Sequence, residues 1–221
     1  KNNLVLRAAR ALKRIANVPA GAELTLTKNL PVAAGIGGGS ADAAATIRAL
    51  MRLWHIHWED HDFAALALSL GADVPVCLYG RAAFMGGIGD RVEPGPILPP
   101  TYLVIVNPGV AVSTPAVFKA REGPYSEPAY GTYQSGSAVE LARQLAQPCN
   151  DLTAPAISIA PAVGRVLGAL DSAEDCLIAR MSGSGATCFG MFETKRQART
   201  AASRIAEEHP GWWIKTAILR G

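Results

Sequence analysis

Residues 31–45 read Pro-Val-Ala-Ala-Gly-Ile-Gly-Gly-Gly-Ser-Ala-Asp-Ala-Ala-Ala, and no other stretch constrains the chain as tightly. Gly35, Gly37, Gly38 and Gly39 open backbone conformations closed to other residues and let a ligand approach the main chain closely. Downstream, Ile47, Leu50, Met51 and Trp54 recur at helical spacing, so a helix is expected to start near Ser40. A glycine turn running into a helix aims several free N–H groups, and the positive end of the helix dipole, at one spot. Such a spot suits a polyphosphate. Ser40 is placed either to cap the helix or to offer its hydroxyl to a phosphate or Mg²⁺. The loop is not a Walker A motif, since no Gly-Lys-Ser/Thr follows. It is not a GxGxxG fingerprint either, since Ser40 stands where the last glycine belongs. A flexible capped connection is the alternative, but so many glycines are entropically expensive for a mere linker.

The elements around this loop indicate a mixed α/β or α+β chain. Residues 4–17 fit an amphipathic helix, and residues 23–27 alternate as a strand. A second helix is expected with Phe63, Leu66, Ala67 and Leu70 on one face and Gly71 as its stop. Residues 74–79 and 81–85 read as strands joined by Gly80. The stretch 93–100 holds four prolines and a glycine and is the expected domain boundary. Beyond it, strands are expected at 102–106, 177–181, 187–192 and 213–218, helices at 137–146, 161–171 and 194–208, and a surface loop at 121–137. With 221 residues, one large domain or two small ones can each bury a core.

Charge and cysteines narrow the function classes. A net charge of +3, with scattered lysines and arginines, gives no nucleic-acid surface. The longest apolar stretch, 63–79, is interrupted by Gly71, Asp73 and Pro75, so no membrane helix is expected. Cys77, Cys149, Cys176 and Cys188 form no CxxC pair and no zinc spacing, which suits a reducing, cytoplasmic setting. His55, His57 and His61, with Asp60 and Asp62, fall between two helices, and we read them as a polar linker rather than a metal site. Trp212 and Trp213 read as core and edge packing.

Two further segments carry chemistry only in combination with the loop. Asp73, in Gly71-Ala72-Asp73-Val74-Pro75, is either a turn aspartate or a group able to orient a hydroxyl and take its proton. The run Met181-Ser182-Gly183-Ser184-Gly185-Ala186-Thr187 is either a tight hairpin or a second backbone cradle.

In order and spacing, these three segments resemble the GHMP kinase superfamily, which includes galactokinase and the homoserine, mevalonate and phosphomevalonate kinases. The Gly-Gly-Gly-Ser form of the loop, Gly71-Ala72-Asp73-Val74-Pro75, Asn3-Leu4-Val5 and Asn150-Asp151-Leu152 point to one branch of it. That branch phosphorylates the 2-hydroxyl of 4-diphosphocytidyl-2-C-methyl-D-erythritol, a CDP-methylerythritol, on the non-mevalonate route to isoprenoid precursors. The resemblance covers nearly the whole chain. It implies an α+β, two-domain GHMP kinase fold with the active site in the cleft. Residues 1–96 would be the remainder of the N-terminal ATP-binding domain and 97–221 the C-terminal substrate-side domain. Asp73 would be the catalytic base. Gly35, Gly37, Gly38, Gly39 and Ser40 would hold the phosphates of ATP, with Ser40 near Mg²⁺. Asn3, Lys28, Pro31 and Asp42 would line the nucleotide pocket. Phe118 would stack on cytosine, with core packing as its alternative, and Gly183 and Gly185 would lie on the substrate side.

The chain departs from the pattern in three places. Ile36 replaces a leucine, and Ala41 replaces a second serine. The superfamily also opens on a strand bearing Ala-Lys-Leu-Asn, whose lysine works beside the aspartate. Lys1 and Lys13 do not sit in such a pattern, and activity is expected to need that lysine. Another GHMP small-molecule kinase (homoserine or mevalonate kinase-like) and a non-catalytic nucleotide-binding fragment are the competing readings. The sequence sets no oligomeric state.

Overall fold

The computed structural model describes residues 3–31, 34–60, 62–127, 136–147 and 149–219, with the backbone alone at Asp60. The chain divides into two compact units, Lys1–Asn29 with Gly37–Gly95, and Leu30–Ile36 with Pro96–Gly221.

The first unit is a helical cluster with a small hairpin. Helix α1 (Leu4–Ile15) begins where the Asn3 side chain accepts a hydrogen bond from the Val5 N–H at 2.9 Å. It ends with Lys13 and Arg14 in its last turn, where cations complement the helix dipole. Helix α2 (Gly38–Leu53) lies beside it, and alanines on both helices, Ala8 and Ala11 against Ala43 and Ala44, are buried. Leu12, Ile47 and Leu50 complete that core with Phe63, Leu66 and Leu70 of α3 (Phe63–Leu70) and with Val74. A 3-10 turn spans Trp58–Asp60. The hairpin pairs β1 (Ala83–Gly86) with β2 (Arg91–Pro94), and Asp90 closes its turn by accepting from the Ile88 N–H.

Two expectations fail here. Residues 74–79 form helix α4 (Val74–Tyr79), not a strand. Pro75 in the first turn fits a helix start, and Gly80, in the left-handed region at φ 72°, ends it. Five apolar residues in that window mimic a buried strand, but the punctuation at its ends is helical. Residues 23–27 pair with no described strand and remain irregular, since alternation without a partner leaves the ladder unmade.

In the second unit an antiparallel sheet runs in the order β4 (Ile178–Met181), β5 (Cys188–Phe192), β3 (Thr101–Asn107), β6 (Trp213–Leu219). Side chains alternate between its faces. Val104, Val106, Cys188 and Phe192 meet α8 (Ala162–Asp171) and α9 (Lys195–Glu208) through Val163, Val166, Leu170 and Ile205. Leu103, Phe189 and Met191 meet α6 (Ala138–Ala146) through Leu141 and Ala142 on the other face. Helix α9 opens on a reciprocal capping box between Thr194 and Gln197. Trp212 stacks on His209 at 3.8 Å between ring centroids and packs on the core, and Trp213 opens β6. Two short helices, α5 (Thr114–Ala120) and α7 (Thr153–Ile159), had no counterpart in the sequence reading. Within the loop expected at 121–137, residues 121–127 are irregular and 128–135 lie outside the described residues.

Candidate active site

Within the first unit, α2 grows directly out of the glycine run. Gly37, at φ 65°, stands at the N-cap, so the helix starts two residues before Ser40. Ser40 is therefore the third helical residue and not the cap. The N–H groups of Gly38, Gly39 and Ser40 belong to the first turn, where no carbonyl of the helix can accept them. A Cβ placed on Gly37 or Gly39 would meet nothing within 4 Å. Packing does not demand these glycines, since their Cβ positions face open space. That combination fits a bound polyphosphate.

One turn into α2, Asp42 pairs with Lys28 at 2.5 Å, so two of the expected nucleotide-pocket residues stand together. Asn3 is exposed and spends its side-chain oxygen on capping α1. Asp73 occupies the position before α4, exposed and with no side-chain capping bond, while its carbonyl accepts from the Cys77 N–H. Burial first, and then the charge of Asp73, push the Cys77 thiol up. The far end of α4 is held by Arg48, whose guanidinium donates to the Cys77 carbonyl at 2.9 Å. A cation at that end suits the helix dipole and fixes the short helix that carries Asp73. Nothing in the spacing of the sequence signalled Arg48. A cavity of about 740 Å³ in the same unit, lined by Met51, Trp58, Phe63, Leu78 and Tyr79 among others, contains none of the expected site residues.

The second unit contributes a different arrangement. Gly35, at φ 73°, lies against the backbone of Gly185, and Gly183 approaches the Gly35 carbonyl. The Ser182 hydroxyl donates to the Gly35 carbonyl at 3.0 Å, and the Thr187 N–H donates to the Ala34 carbonyl at 3.2 Å. Gly183 and Gly185 thus seat the start of the glycine run. Buried Asn107 donates to the Thr187 hydroxyl at 2.8 Å and accepts from the Gly109 N–H at 2.8 Å. Asn150 donates to the carbonyls of Met181 at 3.1 Å and Gly183 at 2.8 Å. The sequence carries no sign of Asn107, and it marks Ser182 and Thr187 only as members of the glycine-serine run and Asn150 only within Asn150-Asp151-Leu152. Pro31 is half-buried. Phe118, on α5, is 49% exposed, so its ring is available to a ligand, while its neighbour Val117 fills the core.

No group of three metal-ligating side chains converges among the described residues, and His61 and the Asp60 side chain lie outside them. Among the described residues no helix is long and apolar enough to cross a membrane.

Comparison with known proteins decides the family. The description "GHMP kinases N terminal domain" matches residues 3–81, and "GHMP kinases C terminal" matches residues 132–211. The chain belongs to the GHMP kinase family. This GHMP kinase is 54% identical, over 98% of its length and 76% of the relative's, to a 4-diphosphocytidyl-2-C-methyl-D-erythritol kinase of Paramagnetospirillum magneticum. It is 55% identical to the protein of that name from Cereibacter sphaeroides, covering all of this chain and 77% of the relative. A crystal structure of 4-(cytidine 5'-diphospho)-2C-methyl-D-erythritol kinase matches 99% of this chain and 79% of its own, with TM-score 0.77 and 35% identity. Homoserine kinase from Cytophaga hutchinsonii matches with the same TM-score at 18% identity, which speaks for the fold alone.

Proposed function

We propose that this GHMP kinase transfers the γ-phosphoryl group of ATP to the 2-hydroxyl of 4-diphosphocytidyl-2-C-methyl-D-erythritol, in the cytoplasm, on the non-mevalonate route to isoprenoid precursors. The observation that carries the reading is identity above one half, across essentially the whole chain, to relatives bearing that kinase's name. Four free thiols suit a reducing compartment.

In this reading residues 1–96 serve the nucleotide and residues 97–221 the acceptor. The N–H groups of Gly38, Gly39 and Ser40 bind phosphate oxygens, with Gly37 supplying the turn. Gly35 sets the start of that loop. Asn3, Lys28, Pro31 and Asp42 border the nucleotide, with the Lys28–Asp42 pair holding both charges in place. Phe118 stacks on the cytosine ring. Asp73 accepts a hydrogen bond from the acceptor hydroxyl and takes its proton. The hydroxyl oxygen forms a bond to the γ-phosphorus, and the bond from that phosphorus to the β–γ bridging oxygen breaks, releasing ADP. Mg²⁺ carried on the phosphates, with Ser40 as a ligand, would supply charge neutralisation at the transferring group. Catalysis by this chain's own groups is therefore positioning and fixed donors aimed at developing charge.

The test is ADP release from Mg²⁺-ATP with 4-diphosphocytidyl-2-C-methyl-D-erythritol, homoserine or mevalonate as acceptor, using the full gene product and its Asp73→Asn variant. Turnover of the cytidylylated acceptor alone, lost in Asp73→Asn, is the expected result. Turnover of homoserine or mevalonate in its place overturns the acceptor assignment and leaves the phosphoryl-transfer chemistry standing.

A further inference from the structure

Residues 182 and 184 of one turn hold two different elements. The turn itself is tight: the Ser182 N–H donates to the Thr187 carbonyl and the Gly185 N–H to the Ser182 carbonyl, each at 2.9 Å. From it, the Ser182 hydroxyl reaches Gly35. Two residues on, the Ser184 hydroxyl lies 2.7 Å from that of Thr114. Ser184 is only 7% exposed, so its hydroxyl depends on that partner.

Thr114 is the first residue of α5, and Phe118 follows four positions later, one helical turn on the same face. The helix has only seven residues, and its N-cap, Ser113, makes no side-chain capping bond. A helix this short has little stability of its own and takes its orientation from its anchors. Two of its own residues anchor it. Val117 is fully buried in the core, and Thr114 is bonded to Ser184. Val112, just before the helix, is buried in the same core, and α5 also packs against α7, but these apolar contacts set no hydrogen-bond direction at its first turn. The Thr114 hydroxyl adds the directional bond that ties this face of α5, and with it Phe118, to the turn. Asn150 also restrains the turn by donating to the Met181 and Gly183 carbonyls.

We infer that the Ser184–Thr114 hydrogen bond makes this turn the common support of the glycine loop and of Phe118, and that Thr114 is a positioning residue for recognition of the cytidine base. The inference rests on the acceptor assignment given above. It separates the turn's two duties by residue, with Ser182 serving the nucleotide side and Ser184, through Thr114, the acceptor side.

The experiment is steady-state kinetics on the full gene product with ATP and 4-diphosphocytidyl-2-C-methyl-D-erythritol varied independently. Thr114→Val and Ser184→Ala are each expected to raise KM for the cytidylylated acceptor about three- to tenfold, the scale of one hydrogen bond, with KM for ATP within about twofold of wild type. The double variant is expected to do no more than either single one, since both remove one bond. Thr114→Ser, which keeps the hydroxyl, restores the wild-type value. Ser182→Ala shows the reverse split, with the ATP KM raised. An unchanged acceptor KM in Thr114→Val, an equal rise in both KM values, or no rescue by Thr114→Ser overturns the inference while wild-type turnover leaves the acceptor assignment intact. A wild type that ignores the cytidylylated acceptor overturns both. Failure of both Thr114→Val and Ser184→Ala to melt cooperatively makes the bond a folding element and overturns the positioning role.

Discussion

A Cβ built on Gly35 would stand 2.1 Å from the carbonyl oxygen of Gly185, which is backbone and cannot swing aside. Gly35→Ala must therefore lift the loop off its seat, and at φ 73° it adds backbone strain as well. We expect a loss of about 1–3 kcal/mol in stability and at least roughly a tenfold weaker affinity for ATP, the equivalent of about 1.4 kcal/mol. Gly39→Ala is the informative contrast. Its Cβ meets nothing, and alanine suits a helix, so stability should hold or rise by about 0.4–1 kcal/mol. If the open face of Gly39 receives phosphate, the same change weakens ATP binding. Thermal melts alongside ATP titrations separate the two effects, and a Gly39→Ala protein with undiminished ATP affinity would remove Gly39 from the phosphate site.

Asp73 makes no side-chain bond that holds α4 together. Asp73→Asn should thus leave the melting temperature unchanged and lower kcat by about 100-fold or more, the usual scale for losing a proton acceptor. Comparing kcat with the melting curve checks it. A folded variant that keeps wild-type kcat rules Asp73 out as the base.

Lys28 and Asp42 are joined across a partly exposed surface, with about a third of each side chain in solvent. Their coupling in a double-mutant cycle of unfolding free energies should fall below about 1 kcal/mol. The same cycle run on KM for ATP should show the larger coupling if the pair borders the nucleotide. Coupling seen in stability but absent from KM would make the pair structural only.

Burial pushes the Cys188 thiol up to about 12 and that of Cys176 to about 11, from an ordinary value of 9.0. Because the folded values are raised, the associated stability is fully present below pH 9 and is lost as pH rises from there toward 11–12. Denaturant midpoints should fall between pH 8.5 and 10.5. At pH 8, a thiol reagent should modify exposed Cys149 first, half-buried Cys77 and Cys176 more slowly, and buried Cys188 only on unfolding. Rapid labelling of Cys188 in the folded protein would contradict its burial.

Local signals in the sequence carried much of this picture. The periodic helices α1, α2, α3, α8 and α9 and the strands β3, β5 and β6 were legible because each buries one regular stripe or face. Helix α4 was misread because Val74, Pro75, Val76, Cys77 and Leu78 form a run too short to show a 3.6-residue period. Helices α5 and α7 were missed for the same reason, since each spans two turns and contains a proline. In the site, the glycine run was legible because glycine reports an unusual backbone directly. The bonds from Asn107 to Thr187 and from Thr114 to Ser184 were not, because they join ordinary polar residues 80 and 70 positions apart. Only the tertiary fold brings such pairs together.

Strand β6 pairs with β3 along its whole length, from Thr101 opposite Leu219 to Asn107 opposite Trp213. During vectorial synthesis β3 leaves the ribosome long before either of its neighbours, β5 and β6. Through that interval its Val104 and Val106, destined for the core, and both its hydrogen-bonding edges lack their native cover. The nascent chain thus carries an adhesive strand until β5 and then β6 emerge, and contacts between chains compete with this delayed closure of the sheet. Expression yield of this protein should accordingly respond to elongation rate and chaperone supply more than its finished stability alone would suggest.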